Sequence, residues 1–134
     1  MSIKKNIFSV LIGVVTIFIV GFLLFPILES IVKENLIAQT GKHYSFFLSS
    51  VLSEFIWLGI ASFSGGYITS LISKTIFHSV ITGALTFIMI LGIGIFVNNN
   101  FSLITLMGAA SSFFFCLMGG LVQKYVYILK NKNE

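Results

Sequence analysis

Charged residues cut this chain into apolar runs of bilayer length. Between Lys5 and Glu29 lie 23 uncharged residues, Asn6 to Leu28, where about 20 suffice to cross ~30 Å of hydrocarbon. Pro26 falls near the far end of this run. It removes an N–H and crowds the Phe22 carbonyl, so a bend is expected there. The most polar stretch follows, from Glu29 to Phe46. In it Leu28, Ile31, Val32 and Leu36 recur at helical spacing opposite Glu29, Lys33 and Glu34. That pattern predicts a short amphipathic helix, prolonging the first span or lying on the membrane, with Gly41 as its C-cap. Tyr44, Phe46 and Phe47 mark re-entry through the interface.

Between Glu54 and Lys74 there are 19 uncharged residues, and from Thr75 to Gln123 there are 49. The longer run is two crossings of ~20 residues with a turn between them. Asn98-Asn99-Asn100 supplies the turn, since Asn favours turns over helix interiors. The predicted helices are therefore about 6–28, 47–72, 76–97 and 101–128, with a polar outer loop at about 29–46. The expected fold is all-α: one polytopic membrane domain spanning 1–134, with four transmembrane helices in an up-down bundle.

Four spans put both ends on one side, and the lysines choose the side. Lys4, Lys5, Lys74, Lys124, Lys130 and Lys132 fall together, while Lys33 and Lys42 fall opposite, balanced by Glu29 and Glu34. Six against two predicts both termini in the cytoplasm, and the expected home is the cell's inner (cytoplasmic) membrane. Lys4 and Lys5 before an apolar run resemble a signal peptide. The run is well past the ~7–15 residues of a cleavable segment, and no small-x-small cleavage site follows, so an uncleaved anchor is expected.

Composition agrees with lipid as the solvent. The chain is 57% hydrophobic and 9% charged, with mean hydropathy +1.06, against roughly 25% charged residues in soluble domains. The net charge of +4 comes from eight lysines with no arginine. Lysines scattered at the ends of apolar runs are topology signals, not the clustered basic face of a nucleic-acid binder. The single cysteine, Cys116, permits no internal disulfide.

Small residues mark the expected packing faces. Gly108, Ser112, Cys116 and Gly120 form a ladder at four-residue steps in the fourth helix. Ser62, Gly66 and Ser70 repeat the step in the second. In lipid, small side chains let backbones approach where no hydrophobic effect drives helices together. Gly65-Gly66 and Gly119-Gly120 stand in corresponding positions near the ends of their helices, a weak internal echo. A second reading of Gly65-Gly66 is a break in the helix that frees backbone groups for a ligand. Cys116 is expected to behave as a small buried hydrophobe.

One candidate polar site remains. Glu54 lies about one and a half turns inside the outer end of the second helix. It either reaches water at the interface or faces the bundle and binds a proton or cation. Ser79, Thr82 and Thr86, with Gly83, share a face of the third helix and are its candidate companions. Lys42 and His43 are the nearest candidate partners for Glu54. His43 and His78 are expected on opposite sides of the membrane and cannot share a metal within one subunit. Asn100-Phe101-Ser102 matches a glycosylation sequon but lies too close to the membrane to carry weight. There is no Asp, no paired carboxylate set, no nucleophile triad and no metal-ligand spacing, so neither catalysis nor a cofactor is expected.

Gly65, Gly66, Tyr67, Lys74, His78, Gly83, Gly119 and Gly120 together resemble a pattern in small uncharacterised bacterial four-helix membrane proteins. There a Gly-Gly-aromatic step and a basic residue close helix two, His and Gly open helix three, and a second Gly-Gly closes helix four. The resemblance covers about three-quarters of the chain and implies the four-span fold but no activity. The polar loop at 29–44 is longer than that pattern has. The chain does not resemble the small multidrug transporters, which carry a glutamate in helix one, nor the small fluoride channels, with their Arg-containing motifs. The expected function is helix-mediated association: a homo-oligomer, an accessory subunit, or an immunity- or regulator-type partner of another membrane protein, in contact with lipid and not with nucleic acid. The alternative is a small-solute or ion transporter or channel, dimeric, with Glu54 as its ionisable site.

Overall fold

A computed structural model of the chain describes residues 3–40, 42–98 and 103–132, with side chains at 4–31, 34, 55–96, 103 and 105–132. The described residues form four helices: α1 (Ile3–Thr40), α2 (Lys42–Ser73), α3 (Ile76–Asn98) and α4 (Leu103–Lys132). Each contains a stretch long and apolar enough to cross a membrane. A helix suits that setting because all its backbone polar groups bond within the segment. Gly41 and most of the Asn turn and sequon (Asn99 to Ser102) lie outside the described residues.

The helices differ in length in a way the hydropathy pattern concealed. α3 has 23 residues, whereas α1 has 38 and α2 has 32. At ~1.5 Å per residue α3 is about 35 Å long and α1 about 57 Å. The polar stretch after Leu28 prolongs α1 as far as Thr40, and α2 begins at Lys42 rather than near Phe47. Glu, Lys, Leu, Ala and Gln are good helix formers. Nothing between Pro26 and Gly41 stops a helix that has left the apolar zone.

Contacts run in a consistent order along the helices. Gly13 of α1 meets Thr69 and Gly65 of α2, while Gly21 meets Trp57 and Ala61, so α2 numbers fall as α1 numbers rise. From α2 to α4 they rise together: Gly59 meets Phe115, Gly66 meets Cys116, and Ser70 bonds Gln123. From α3 to α4 they oppose: Ser79 meets Gly120, and Gly94 meets Thr105. α2 touches all three other helices, whereas α1 and α4 do not touch among the described residues.

Large apolar side chains point outward from every helix, with Phe22 84% and Phe96 88% exposed. The fully buried side chains are small or hydroxylic instead: Thr69, Thr82, Thr86, Cys116, Ser9, Ser62, Ser70, Ser73, Ser79 and Ser112. This reverses a soluble core. Where the surroundings are hydrocarbon, close backbone approach and hydrogen bonds hold helices together.

The turn between α2 and α3 is two residues long, Lys74 and Thr75. Lys74 adopts the left-handed conformation, φ 59°, and its N–H donates to the Ser70 carbonyl at 2.8 Å. This is a helix C-cap in a place where Gly is usual.

Candidate functional site

The two Gly-Gly pairs explain how α2 and α4 hold the bundle. Successive helical residues point about 100° apart, so adjacent glycines face different neighbours. Gly65 faces α1: a β-carbon there would overlap Ile17 and come within 2.7 Å of the Gly13 carbonyl oxygen. Gly66 faces α4: a β-carbon there would overlap the Cys116 carbonyl oxygen and lie 2.8 Å from Cys116 Cα. In α4, Gly119 faces α2, where a β-carbon would overlap the Phe63 carbonyl, and Gly120 faces α3, 2.7 Å from Ser79 Cβ. Each pair lets one helix press closely on two others, against backbone at Gly65, Gly66 and Gly119 and against the Ser79 side chain at Gly120. α2 runs unbroken through Gly65-Gly66, so the expected alternative of a helix break is corrected: the absent side chains serve close packing and free no backbone group.

A hydrogen-bonded seam follows these glycines. Ser79 Oγ donates to the Gly66 carbonyl at 2.8 Å, and Cys116 Sγ donates to the Ser79 carbonyl at 3.3 Å. Ser70 Oγ donates to Gln123 Oε1 at 3.1 Å. Thr69 Oγ1 and Thr82 Oγ1 lie 3.1 Å apart, and each also lies within bonding distance of a carbonyl one turn back, Gly65 and His78. Each hydroxyl has a single proton. A bond across the helices therefore forms only when one of the two gives up the bond to its own turn. Thr86 Oγ1 donates back to the Thr82 carbonyl at 2.9 Å, and Ser112 Oγ to the Ala109 carbonyl at 2.7 Å. Ser62 Oγ is buried with no partner among the described residues.

The seam occupies one half of the bundle: the beginning of α1 and α3 and the end of α2 and α4. The other half is hollow. A cavity of about 670 Å³ lies there, bounded by all four helices between Ile17 and Pro26 of α1, Trp57 and Leu58 of α2, Thr86 and Gly94 of α3, and Thr105 and Gly108 of α4. Trp57 forms part of its wall. Its six-membered ring packs on Gly21, Phe25 meets it edge-on at 5.6 Å, and its Nε1 is buried with no partner among the described residues. Gly108 differs from the rest of its ladder. Among the described residues, a β-carbon there would meet only Leu58 Cδ2, at 3.7 Å.

The candidate residues thus divide. Ser62, Gly65, Gly66, Ser70, Ser112, Cys116 and Gly120 are buried in the clasped half, with Ser79 and Thr82 among them. Thr86 and Gly108 line the cavity. The Glu54 backbone continues α2 one turn beyond Leu58, and its side chain, like those of Lys42 and His43, lies outside the described residues. His78 pairs through Nδ1 with Thr75 Oγ1 at the start of α3. Among the described residues no three His, Cys, Asp or Glu side chains could hold one metal ion. Sequence reasoning passed over Thr69 and Gln123. Thr69 adjoins the ladder residue Ser70, and Gln123 is the one amide near the end of the long uncharged run. Both were visible as polar groups that must find partners in lipid.

Compared with known proteins, the chain matches no family model, no curated protein and no solved structure.

Proposed function

We propose that this is a non-catalytic four-span protein of the cytoplasmic membrane, an up-down bundle with both termini in the cytoplasm, that works by association with a second copy or with a larger membrane component. The observation that carries this reading is the overshoot of α1 and α2. A span needs about 20 residues, and α3 with 23 has little to spare. α1 continues for twelve residues beyond Leu28, the end of its uncharged run, and α2 begins five residues before Phe47, where the sequence places the start of its own span. The surplus carries the polar sequence from Glu29 to His43 on two consecutive helices, at the end of the bundle away from the lysine-rich termini. We read such a polar projection as a handle for a partner.

The small-residue ladders support the reading indirectly. Apart from Gly108, they are taken up among α2, α3 and α4 within one chain, which fixes the frame that presents the projection. Native mass measurement on a mild detergent extract tests the proposal. The expected species is a multiple of the 14.8 kDa chain or a fixed-stoichiometry complex with another protein. A chain that travels strictly alone removes the reading.

A further inference from the structure

We propose that the lysine-rich end of the bundle is a docking surface for anionic phospholipid headgroups, made by Lys5, Lys74 and Lys124 and by the free end of α4. The register places the first three. α1 and α3 run in the same direction, and Gly13 meets Thr82, so Lys5, two turns back, stands level with Lys74 at the foot of α3. Ser79 meets Gly120, so Thr75, beside Lys74, stands level with Lys124. All three lysines are exposed. They come from α1, the α2–α3 turn and α4, and among the described residues α1 does not touch α4. They therefore ring the bundle instead of sharing one face. Beyond the ring α4 runs on alone. Ser70 bonds Gln123, so Ser73, the last residue of α2, is level with Val126. From Tyr127 to Lys132 α4 continues about 9 Å past α2 and α3, and every side chain from Lys124 to Lys132 is exposed.

Charge and depth select the partner. Six of the eight lysines lie at this end: Lys4, Lys5, Lys74, Lys124, Lys130 and Lys132. Glu29, Glu34 and Glu54 lie toward the other end, and Glu134 lies outside the described residues. Lys5, Lys74 and Lys124 bound the uncharged runs, which puts them where hydrocarbon gives way to headgroups. Tyr125 and Tyr127 follow at the depth where an amphipathic ring is apolar at one end and wet at the other. Lys130 and Lys132 stand about 9 and 12 Å beyond Lys124. That is roughly one Debye length at physiological salt, and their long stems reach back toward the phosphates. An acidic protein is met by a charged patch on one face. A ring of lysines at headgroup depth is met by the lipid around the bundle.

Trp57 is the only tryptophan and lies toward the opposite end of α2, so it serves as the control probe. Its Nε1 bonds nothing among the described residues, so Trp57→Phe gives up no hydrogen bond, and adding Tyr127→Trp moves the probe to the lysine-rich end. Both proteins are reconstituted in phosphatidylcholine bilayers containing one brominated lipid, either phosphatidylglycerol or phosphatidylcholine. One lysine near an anionic surface is worth about fivefold. At position 127, half-quenching is expected to need about fivefold less brominated phosphatidylglycerol than brominated phosphatidylcholine in low salt. The two should converge in 1 M salt, where the Debye length is ~3 Å. Replacing Lys124, Lys130 and Lys132 together by Gln should remove most of the preference, and Trp57 should show none. Equal quenching by both lipids at position 127 overturns the proposal, as does a preference that survives salt and the triple replacement or is equal at Trp57. Equal quenching joined to a discrete protein adduct from a photo-crosslinker at Tyr125 in intact membranes overturns it in favour of an acidic protein partner. The proposal rests on membrane embedding and not on association: a strict monomer loses the handle at the other end and keeps this surface.

Discussion

Replacing Gly66 by Ala tests the clasp with a single methyl group. A β-carbon at Gly66 would overlap the Cys116 carbonyl oxygen and lie 2.6 Å from its carbonyl carbon and 2.8 Å from its Cα. Ordinary carbon contacts are ~3.5–4.0 Å, so α4 must retreat by about 1 Å. All three obstacles are backbone, and no flexible side-chain end can turn aside. Overpacking of this kind costs about 1–3 kcal/mol. The retreat also stretches the Ser70–Gln123 bond, now 3.1 Å, worth about 0.6 kcal/mol on average for such bonds in membrane bundles. Against this, Ala gains roughly 0.5–1 kcal/mol over Gly in a helix. The net expectation is a loss of about 1–3 kcal/mol. Gly92→Ala makes the same chemical change where nothing lies within 4 Å, and should gain about 0.4–1 kcal/mol. Reversible unfolding in mixed micelles of mild detergent and dodecyl sulfate, followed by Trp57 emission, reads both. Equal shifts for the two variants, or a Gly66→Ala protein as stable as wild type, would refute backbone contact between α2 and α4.

Other expectations concern the seam, the turn and the polar candidate. Gln123→Leu and Ser70→Ala should each destabilise by about 0.6–1.7 kcal/mol, and the double variant by less than the sum of the two singles; full additivity in the same unfolding assay would mean that the hydroxyl and amide do not interact. Lys74→Gly removes a left-handed conformation worth roughly 1–2 kcal/mol in a residue with a β-carbon. It should raise stability, and an unchanged or lower midpoint would show that Lys74 is not strained. Cys116, 0% exposed, should resist a maleimide in mild detergent and react once the bundle is unfolded in dodecyl sulfate; rapid labelling of the native protein would contradict its burial between α2, α3 and α4. Glu54→Gln should leave proton and small-solute flux into liposomes at the wild-type level. A flux that Glu54→Gln abolishes would favour the transport reading.

What the sequence revealed and what it hid have separate physical causes. The spans were legible because hydrocarbon excludes charge, so Lys5, Glu29, Lys74 and Lys124 bracket them. The ends of α1 and α2 were not, because hydropathy records where a helix leaves lipid and not where it stops. Residues from Glu29 to Thr40 stay helical by propensity once outside. The charge of Lys74 placed the turn after Ser73, but with no Gly, Asn or Pro there the left-handed conformation of Lys74 itself was not legible. Gly65-Gly66 and Gly119-Gly120 were conspicuous, but spacing along one helix does not say which neighbour each residue faces. The cavity was the least legible feature. Gly108 and Gly120 occupy equivalent rungs of one ladder, yet one borders a void and the other meets Ser79, because a void depends on where helices diverge. The packing of Trp57 on Gly21 and Phe25 was hidden too, because it depends on the register between α1 and α2.

The proposed association is tested most directly by a photo-crosslinking side chain at Glu34, which is exposed in the prolonged part of α1, compared in intact membranes with the same probe at Phe114, 66% exposed on the outer surface of an apolar span. The expected result is a discrete protein adduct at Glu34, of constant mass and containing either a second copy of this chain or one partner, with only lipid adducts at Phe114. Lipid adducts or none at both positions would contradict the reading of the projecting helices as a partner's handle.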